Sequence, residues 1–464
     1  MKIRSFLSKI NLPTKASAAY LGASLIGKSV GLITTPFFTR LISRDEYGNL
    51  TLYMTILGAA SIICSAVSSG SAVYKGFKSF ESKSGEFINS ALTVSLCFST
   101  VICLLLFALS PFLGLESWLY LPLSLQILCD SIVGFSLARA RYFYKYGEVM
   151  MINLLSSALP ALISVIILWK VGGGYPVRIY SILAFSIILA VWQLIRLTRI
   201  EKGISKEMTR AMIKTSLPLL PHSFSTAVSG QMDKLFITSI MGSAALASYS
   251  VAHSLGISLQ FAVTALGSSI GPWLIRKLDE RNYERIKEVV STVFSLFCAI
   301  ALGLCTISPE IMKILAPDAY SDAIPAITPI ALSVPLGFLS YVITVSLVQA
   351  EAGKRTAVTS VIGLASCFIF NYTLIPILGY FGAGLSLLLS QIASVSVGMT
   401  FLFRCGYEKF ISAKKLGIIF SASLGVALLI IPFYKFLFLR VFILIVPTVI
   451  LLNSLLHSKR LITE

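Results

Sequence analysis

Residues 87–110 read FINSALTVSLCFSTVICLLLFALS, 24 residues without an Asp, Glu, Lys, Arg or His. A helix needs about 20 apolar residues to cross roughly 30 Å of hydrocarbon. This run is long enough, and a lipid-spanning backbone must bond to itself, which a helix achieves. Fourteen such runs can be read along the chain, near 16–39, 47–73, 87–110, 117–138, 149–169, 178–197, 214–241, 244–274, 289–309, 324–349, 356–378, 381–403, 416–434 and 437–456. The composition agrees: 56% of the 464 residues are hydrophobic and 12% charged. Mean hydropathy is +0.86. A soluble domain carries about 25% charged residues, because its exterior must be wet. A cytosolic enzyme, a secreted domain and a disordered chain are therefore excluded, and an all-α integral membrane protein of about fourteen transmembrane helices is expected.

The formal net charge is +18. In a soluble protein that excess would suggest nucleic acid; in a multi-span protein it reflects basic cytoplasmic loops. If the N-terminus lies inside and the spans alternate, 29 of the 38 Lys and Arg fall in cytoplasmic segments. Seven fall in outer loops, and Lys28 and Lys234 lie within spans. The asymmetry predicts that both termini are cytoplasmic and that the number of spans is even. No nucleic-acid partner is implied. No loop is long enough to form a separate soluble domain, which argues against a membrane polymerase or acyltransferase. None of the eight cysteines forms a CxxC pair, and only three histidines are present. No disulfide, metal site or cofactor is expected.

The second half echoes the first. With an offset of 199, Thr39-Arg40-Leu41-Ile42 falls on Thr238-Ser239-Ile240-Met241, Tyr74 on Trp273 and Lys78 on Lys277. Further on, Val171-Gly172 matches Leu378-Gly379. Span 1 thus corresponds to span 7, and span 6 to span 12. Six is even, so the halves share one orientation, related by a pseudo-two-fold axis along the membrane normal. This is a transporter architecture with its substrate site near mid-membrane. The expected domains are a six-helix lobe over 1–200, a second over 201–405, and accessory helices 13 and 14 in 406–464.

Charges within spans cost roughly 3 kcal/mol or more at a helix centre, so they mark function or buried pairing. Four stand out. Lys28 is central in span 1, too deep to reach the interface, and must face protein or water. Asp130 is central in span 4. Asp233 and Lys234 lie in span 7; adjacent helical residues point about 100° apart, so they do not pair with each other. Either carboxylate can partner Lys28. His253 in span 8 is a further candidate for substrate contact. Gln126, Gln231, Gln260, Asn371 and Gln391 suit sugar hydroxyls and interhelical hydrogen bonds alike. Pro36 in span 1 and Pro218 and Pro221 in span 7 release backbone carbonyls and bend their helices. Spans 1 and 7 are equivalent in the repeat and both carry charge, which marks them as hinged gating helices.

The stretch Gly27-Lys28-Ser29-Val30-Gly31-Leu32-Ile33-Thr34-Thr35-Pro36-Phe37-Phe38-Thr39-Arg40-Leu41-Ile42-Ser43-Arg44-Asp45-Glu46-Tyr47-Gly48 resembles the first-helix signature of the polysaccharide-transport, O-antigen flippase (Wzx-like) family. That family belongs to the multidrug/oligosaccharidyl-lipid/polysaccharide exporter superfamily. Ser216-Leu217-Pro218-Leu219-Leu220-Pro221-His222 with Asp233-Lys234 is similar to the seventh-helix pattern, and Ala247-Ser248-Tyr249-Ser250 to the start of the eighth. Asn371-Tyr372-Thr373-Leu374-Ile375-Pro376 and Gly379-Tyr380-Phe381-Gly382-Ala383-Gly384 are similar to the turn between helices 11 and 12. The resemblance covers about residues 16–405.

The resemblance implies a flippase that moves undecaprenyl-pyrophosphate-linked oligosaccharide repeat units, for O-antigen, capsule or a similar glycan, across the bacterial inner membrane by alternating access. It implies no enzymatic activity. A polysaccharide polymerase and chain-length machinery are the expected partners. Lys28, Lys234 and His253 would contact substrate. Asp130 or Asp233 would carry a coupling H+ or Na+. The competing reading is a cation-coupled multidrug exporter of the same superfamily, whose cationic substrates call for a carboxylate-rich cavity.

Overall fold

The computed structural model describes residues 30–68, 71–198, 203–407, 411–434 and 436–443. Among the described residues all regular structure is helical, and ten helical segments are long and apolar enough to cross a membrane. The protein is a multi-pass membrane protein. By its internal packing the chain divides into two compact units, Met1–Gln231 and Met232–Glu464.

In the first unit α1 occupies 30–41. It is followed by α2 (Arg44–Ser68), α3 (Ser71–Ser79), α4 (Ser84–Ala108) and α5 (Tyr120–Tyr142). Next come α6, which runs Tyr146–Asn153 and Leu159–Val171 through a π-turn, and α7 (Pro176–Thr198). Then follow α8 (Lys206–Ser216) and α9 (Leu220–Ser229). Residues Ser43 to Glu46 set the turn from α1 into α2. The Glu46 amide donates to Ser43 Oγ at 3.3 Å, and Glu46 Oε2 accepts from the Ser43 amide at 2.9 Å. This reciprocal capping box satisfies two amides that the helix start leaves without partners. At one end of the unit a core of Val73, Phe77, Phe87, Phe135, Leu197 and Met212 draws α3, α4, α5, α7 and α8 together.

The second unit holds α10 (Met232–Met241), α11 (Ser243–Gly256), α12 (Gln260–Asp279) and α13 (Tyr283–Leu315). It continues with α14 (Ile324–Gln349), α15 (Gly353–Phe403) and α16 (Ala413–Ile430). Helix α14 is the packing centre: 72% of its most apolar window is buried, against 22% for α4. The less buried α4 is the more hydropathic of the two, so hydropathy alone does not identify the helix that protein wraps.

The expected fourteen spans do not appear as fourteen separate helices. Span 1 enters the described residues only at 30, and span 14 is described only over 437–443. Span 7 is in pieces. Helix α8 stops at Ser216, a 3-10 turn covers Leu217–Leu219, α9 ends at Ser229 and α10 begins at Met232. Pro218 and Pro221 sit at the starts of the turn and of α9, where the missing N–H is one that a helix start leaves unpaired. Spans 11 and 12 are the two arms of α15, residues 353–378 and 380–403, on either side of a kink. α15 thus has arms of about 39 and 36 Å at 1.5 Å per residue, each enough to cross the hydrocarbon once. It breaks at Gly379, with φ 56° and ψ −128°, a conformation open in practice to glycine alone.

Serine and threonine are frequent in these helices, and their hydroxyls mostly bond back into their own helix. Thr39, Ser90, Ser95, Thr306 and Ser386 each donate to the carbonyl four residues earlier.

Candidate functional site

Among the described residues, Asp130 in the first unit and Asp233 in the second each lie within a cluster of polar side chains, and the two clusters are built differently.

In the second unit, Asp233 is the second residue of α10 and only 1% exposed. Across from it, α11 presents Tyr249 and His253, four residues apart and so on one helix face. The Tyr249 hydroxyl donates to Asp233 Oδ2 at 2.5 Å. His253 Nε2 lies 3.7 Å from the same oxygen, and the two rings are 5.7 Å apart. Asp233 Oδ1 is buried and accepts no hydrogen bond among the described residues. Helix α15 packs on α10 and brings Cys367 close enough for the Asp233 charge to act on its thiol. On the same face Asn371, fully buried, donates from Nδ2 to the Cys367 carbonyl at 2.7 Å and to Sγ at 3.2 Å. Its Oδ1 is also buried without a donor. The cluster therefore has an excess of acceptors: a carboxylate oxygen and an amide oxygen in want of a positive partner. Lys234, half-buried on the next helical position, acts electrostatically on both Asp233 and His253.

In the first unit, Asp130 on α5 is half-buried. Gln126, one turn earlier, donates from Nε2 to Asp130 Oδ1 at 2.9 Å and approaches Ser186 Oγ on α7 at 2.6 Å. Ser61 on α2 donates to Oδ2 at 3.2 Å. Both carboxylate oxygens thus have donors, and three helices meet on one charge. Tyr53 on α2 is 1% exposed, and the Asp130 charge acts on its hydroxyl. Among the described residues no cation is within ion-pair distance of Asp130. Its neutral donors meet the carboxylate as polar hosts rather than as a counter-ion.

Of the residues expected from sequence, Asp233 and His253 come together, Lys234 adjoins them, and Asp130 stands in a separate cluster of its own unit. Lys28 lies outside the described residues, as does its pairing. Pro36 lies inside α1, which continues to 41; its carbonyl accepts from Arg40 Nη1 at 3.0 Å and from Thr39 Oγ1 at 3.3 Å. Sequence reasoning gave Tyr249, Ser61 and Ser186 no role. The i, i+4 spacing of Tyr249 and His253 was a readable signal for the first. Nothing local points to Ser61 and Ser186, which lie 69 and 60 residues from their partners. All eight cysteines are free.

A family model described as polysaccharide biosynthesis protein matches residues 37–325. Protein 1 of the Lsg locus of Haemophilus influenzae is 23% identical over 275 residues, 58% of this chain and 67% of that one. Among solved structures, the lipid II flippase MurJ in an inward closed conformation superposes with a TM-score of 0.72 at 14% identity, covering 96% of this chain and 99% of MurJ. An inward-facing multidrug resistance MATE family transporter of the MOP superfamily gives 0.64 at 13% identity over 84% and 99%. An outward-facing one gives 0.60 at 16% over 85% and 96%. The fold is that of these transporters. The neighbours are flippases and transporters, not enzymes.

Proposed function

The chain belongs to the polysaccharide biosynthesis protein family, and on that premise we propose that it is a flippase for undecaprenyl-pyrophosphate-linked oligosaccharide repeat units in the bacterial inner membrane. The observation that carries this reading is the family match falling on a fold shared with a lipid II flippase. A lipid flippase need only move a polar head group, since the tail stays in hydrocarbon. The pyrophosphate requires cations in a partly desolvated setting, where charge-assisted bonds are strong. Lys28 and Lys234 are assigned that role, with His253 beside Lys234. O-antigen, capsule and related glycans are the substrate class, and a polymerase with its chain-length machinery receives the product. Both termini are assigned to the cytoplasm on the loop-charge asymmetry.

The Asp233 cluster is assigned to coupling. An anionic oxygen and the Asn371 amide oxygen, both lacking donors among the described residues, suit a H+ or a Na+. Occupancy of that position would bias the two states of an alternating-access cycle. The satisfied Asp130 is the weaker candidate, because a cation there would displace bonds already made.

The test uses a deletion strain complemented with wild type or with Lys28→Gln. Surface polysaccharide and undecaprenyl-pyrophosphate-linked oligosaccharide are quantified together. The deletion should lose surface glycan and accumulate the lipid-linked unit; Lys28→Gln should fail to rescue at normal membrane abundance. Unchanged glycan in the deletion would refute the flippase reading. The MATE fold match supports a second reading, a cation-coupled multidrug exporter. Hypersensitivity of the deletion strain to toxic organic cations, with glycan intact, would select it.

A further inference from the structure

A second cationic site lies in the first unit, away from both carboxylates. Helices α3 and α8 border a cavity of about 460 Å³, and Lys75 and Lys214 open onto it from the two sides. Ser79 and Thr215 add hydroxyls; Phe80, Phe87 and Met212 supply apolar lining. Phe87 and Met212 are fully buried, so this lining is a rigid floor rather than mobile surface. Gly76 on α3 makes the floor possible. A Cβ at that position would run into the Phe87 ring, so glycine lets the ring slide beneath the helix.

Among the described residues no carboxylate lines the cavity. Among the described residues neither Lys75 nor Lys214 is within ion-pair distance of an acid, whereas Lys277 and Arg285 each have one. Two ammonium groups facing one cavity repel each other unless an anion joins them. The loop charges assign this end of the unit to the cytoplasm, where anionic headgroups lie. A cationic rim over a fixed apolar floor suits an amphiphile, not a free ion.

We propose that the cleft between α3 and α8 binds the phosphate group of an anionic amphiphile, with Lys75 and Lys214 as the paired cations and Phe80 and Met212 against the apolar portion. An anionic phospholipid and an isoprenoid pyrophosphate share this chemistry. The inference stands on the cleft alone and holds whether or not the chain is a flippase.

The experiment is native mass spectrometry of the full chain in detergent, titrated separately with phosphatidylglycerol, geranylgeranyl pyrophosphate and diacylglycerol. Lys75→Gln/Lys214→Gln is compared with Lys78→Gln/Arg210→Gln, which removes the same charge from the same two helices outside the cleft. The cleft pair should lose about tenfold or more in affinity for at least one phosphate amphiphile, and the control pair should stay within about twofold. Lys75→Arg/Lys214→Arg should retain binding, which separates charge from folding. Loss for phosphatidylglycerol alone names a phospholipid of the inner leaflet. Loss for the pyrophosphate names an isoprenoid carrier. Equal affinity of the cleft pair and wild type for both probes overturns the site. So does an equal loss in the control pair, which would mean diffuse surface charge, or equally tight binding of diacylglycerol, which would mean an apolar groove only.

Discussion

Replacing Tyr249 by phenylalanine deletes one oxygen and leaves the ring. The side chain is fully buried, so shape is kept and no cavity opens. What goes is the 2.5 Å bond to Asp233 Oδ2. No other donor takes its place: Oδ1 already has none, and His253 stands 3.7 Å off. A hydrogen bond to a charged acceptor contributes about 1.5–3 kcal/mol, and a buried group left unpaired loses its hydration besides. We expect Tyr249→Phe to destabilise the folded chain by about 2 kcal/mol, roughly thirtyfold in the unfolding equilibrium. Asp233→Asn should remove the charge that makes the bond strong, so in its background the same change should cost under about 1 kcal/mol. The assay is denaturant unfolding in mixed micelles for the four members of the double-mutant cycle. A coupling indistinguishable from zero would refute the claim that this hydroxyl is what holds the carboxylate.

Three further outcomes follow from local geometry. Gly379→Ala should cost about 1–3 kcal/mol through its φ of 56° alone, since a Cβ there meets only Met241 at an ordinary 3.5 Å; Gly363→Ala, in the helical part of α15 with Ser394 at 3.5 Å, should be neutral or stabilising, and equal unfolding midpoints for the two variants would contradict this. Ser43→Ala should lose about 1 kcal/mol by removing half of the capping box, read as earlier unfolding in the same assay; no loss would mean that the cap is replaced by water. Gln126→Leu should cost about 2 kcal/mol, because one amide serves both Asp130 and Ser186; restoration of stability by adding Asp130→Asn would identify the stranded carboxylate as the cause, and its failure would point to packing instead.

The helical membrane fold was legible because hydropathy is summed over twenty residues, and a single exception hardly moves the sum. That is why residues 87–110 are found as α4. The same averaging hides local breaks. Residues 214–241 contain two prolines and a glycine within an apolar run, and the run reads as one span although the helix tightens to a 3-10 turn at Leu217–Leu219 and is interrupted after Ser229. At Gly379 the division was legible: sequence separates spans 11 and 12 at 378–381, and the backbone kinks between two helical arms at that glycine. The sites were legible in part for a comparable reason. An isolated Asp in lipid must find partners, so Asp130 and Asp233 could be named. Their partners could not be derived, since Ser61, Ser186 and Tyr249 are common residues made special only by where tertiary packing puts them. One of the four central charges, Lys28, lies outside the described residues.

The hydroxyls that bond back to their own helices have a mechanical meaning. A serine such as Ser95 or Ser386 carries its partner with it when its helix turns. No bond to a neighbour has to break, and the seam resists sliding only through dispersion contacts, each worth a few tenths of a kcal/mol at most. Such seams are lubricated. Where α2, α5 and α7 are tied through Ser61, Asp130, Gln126 and Ser186, the opposite holds, because any slip there strands a charge. Other ties of the same kind join α4 to α5 through Ser99 and Ser131 and α6 to α7 through Glu148 and Arg196, so friction in the first unit is concentrated at a few such bonds while the seams between them can creep.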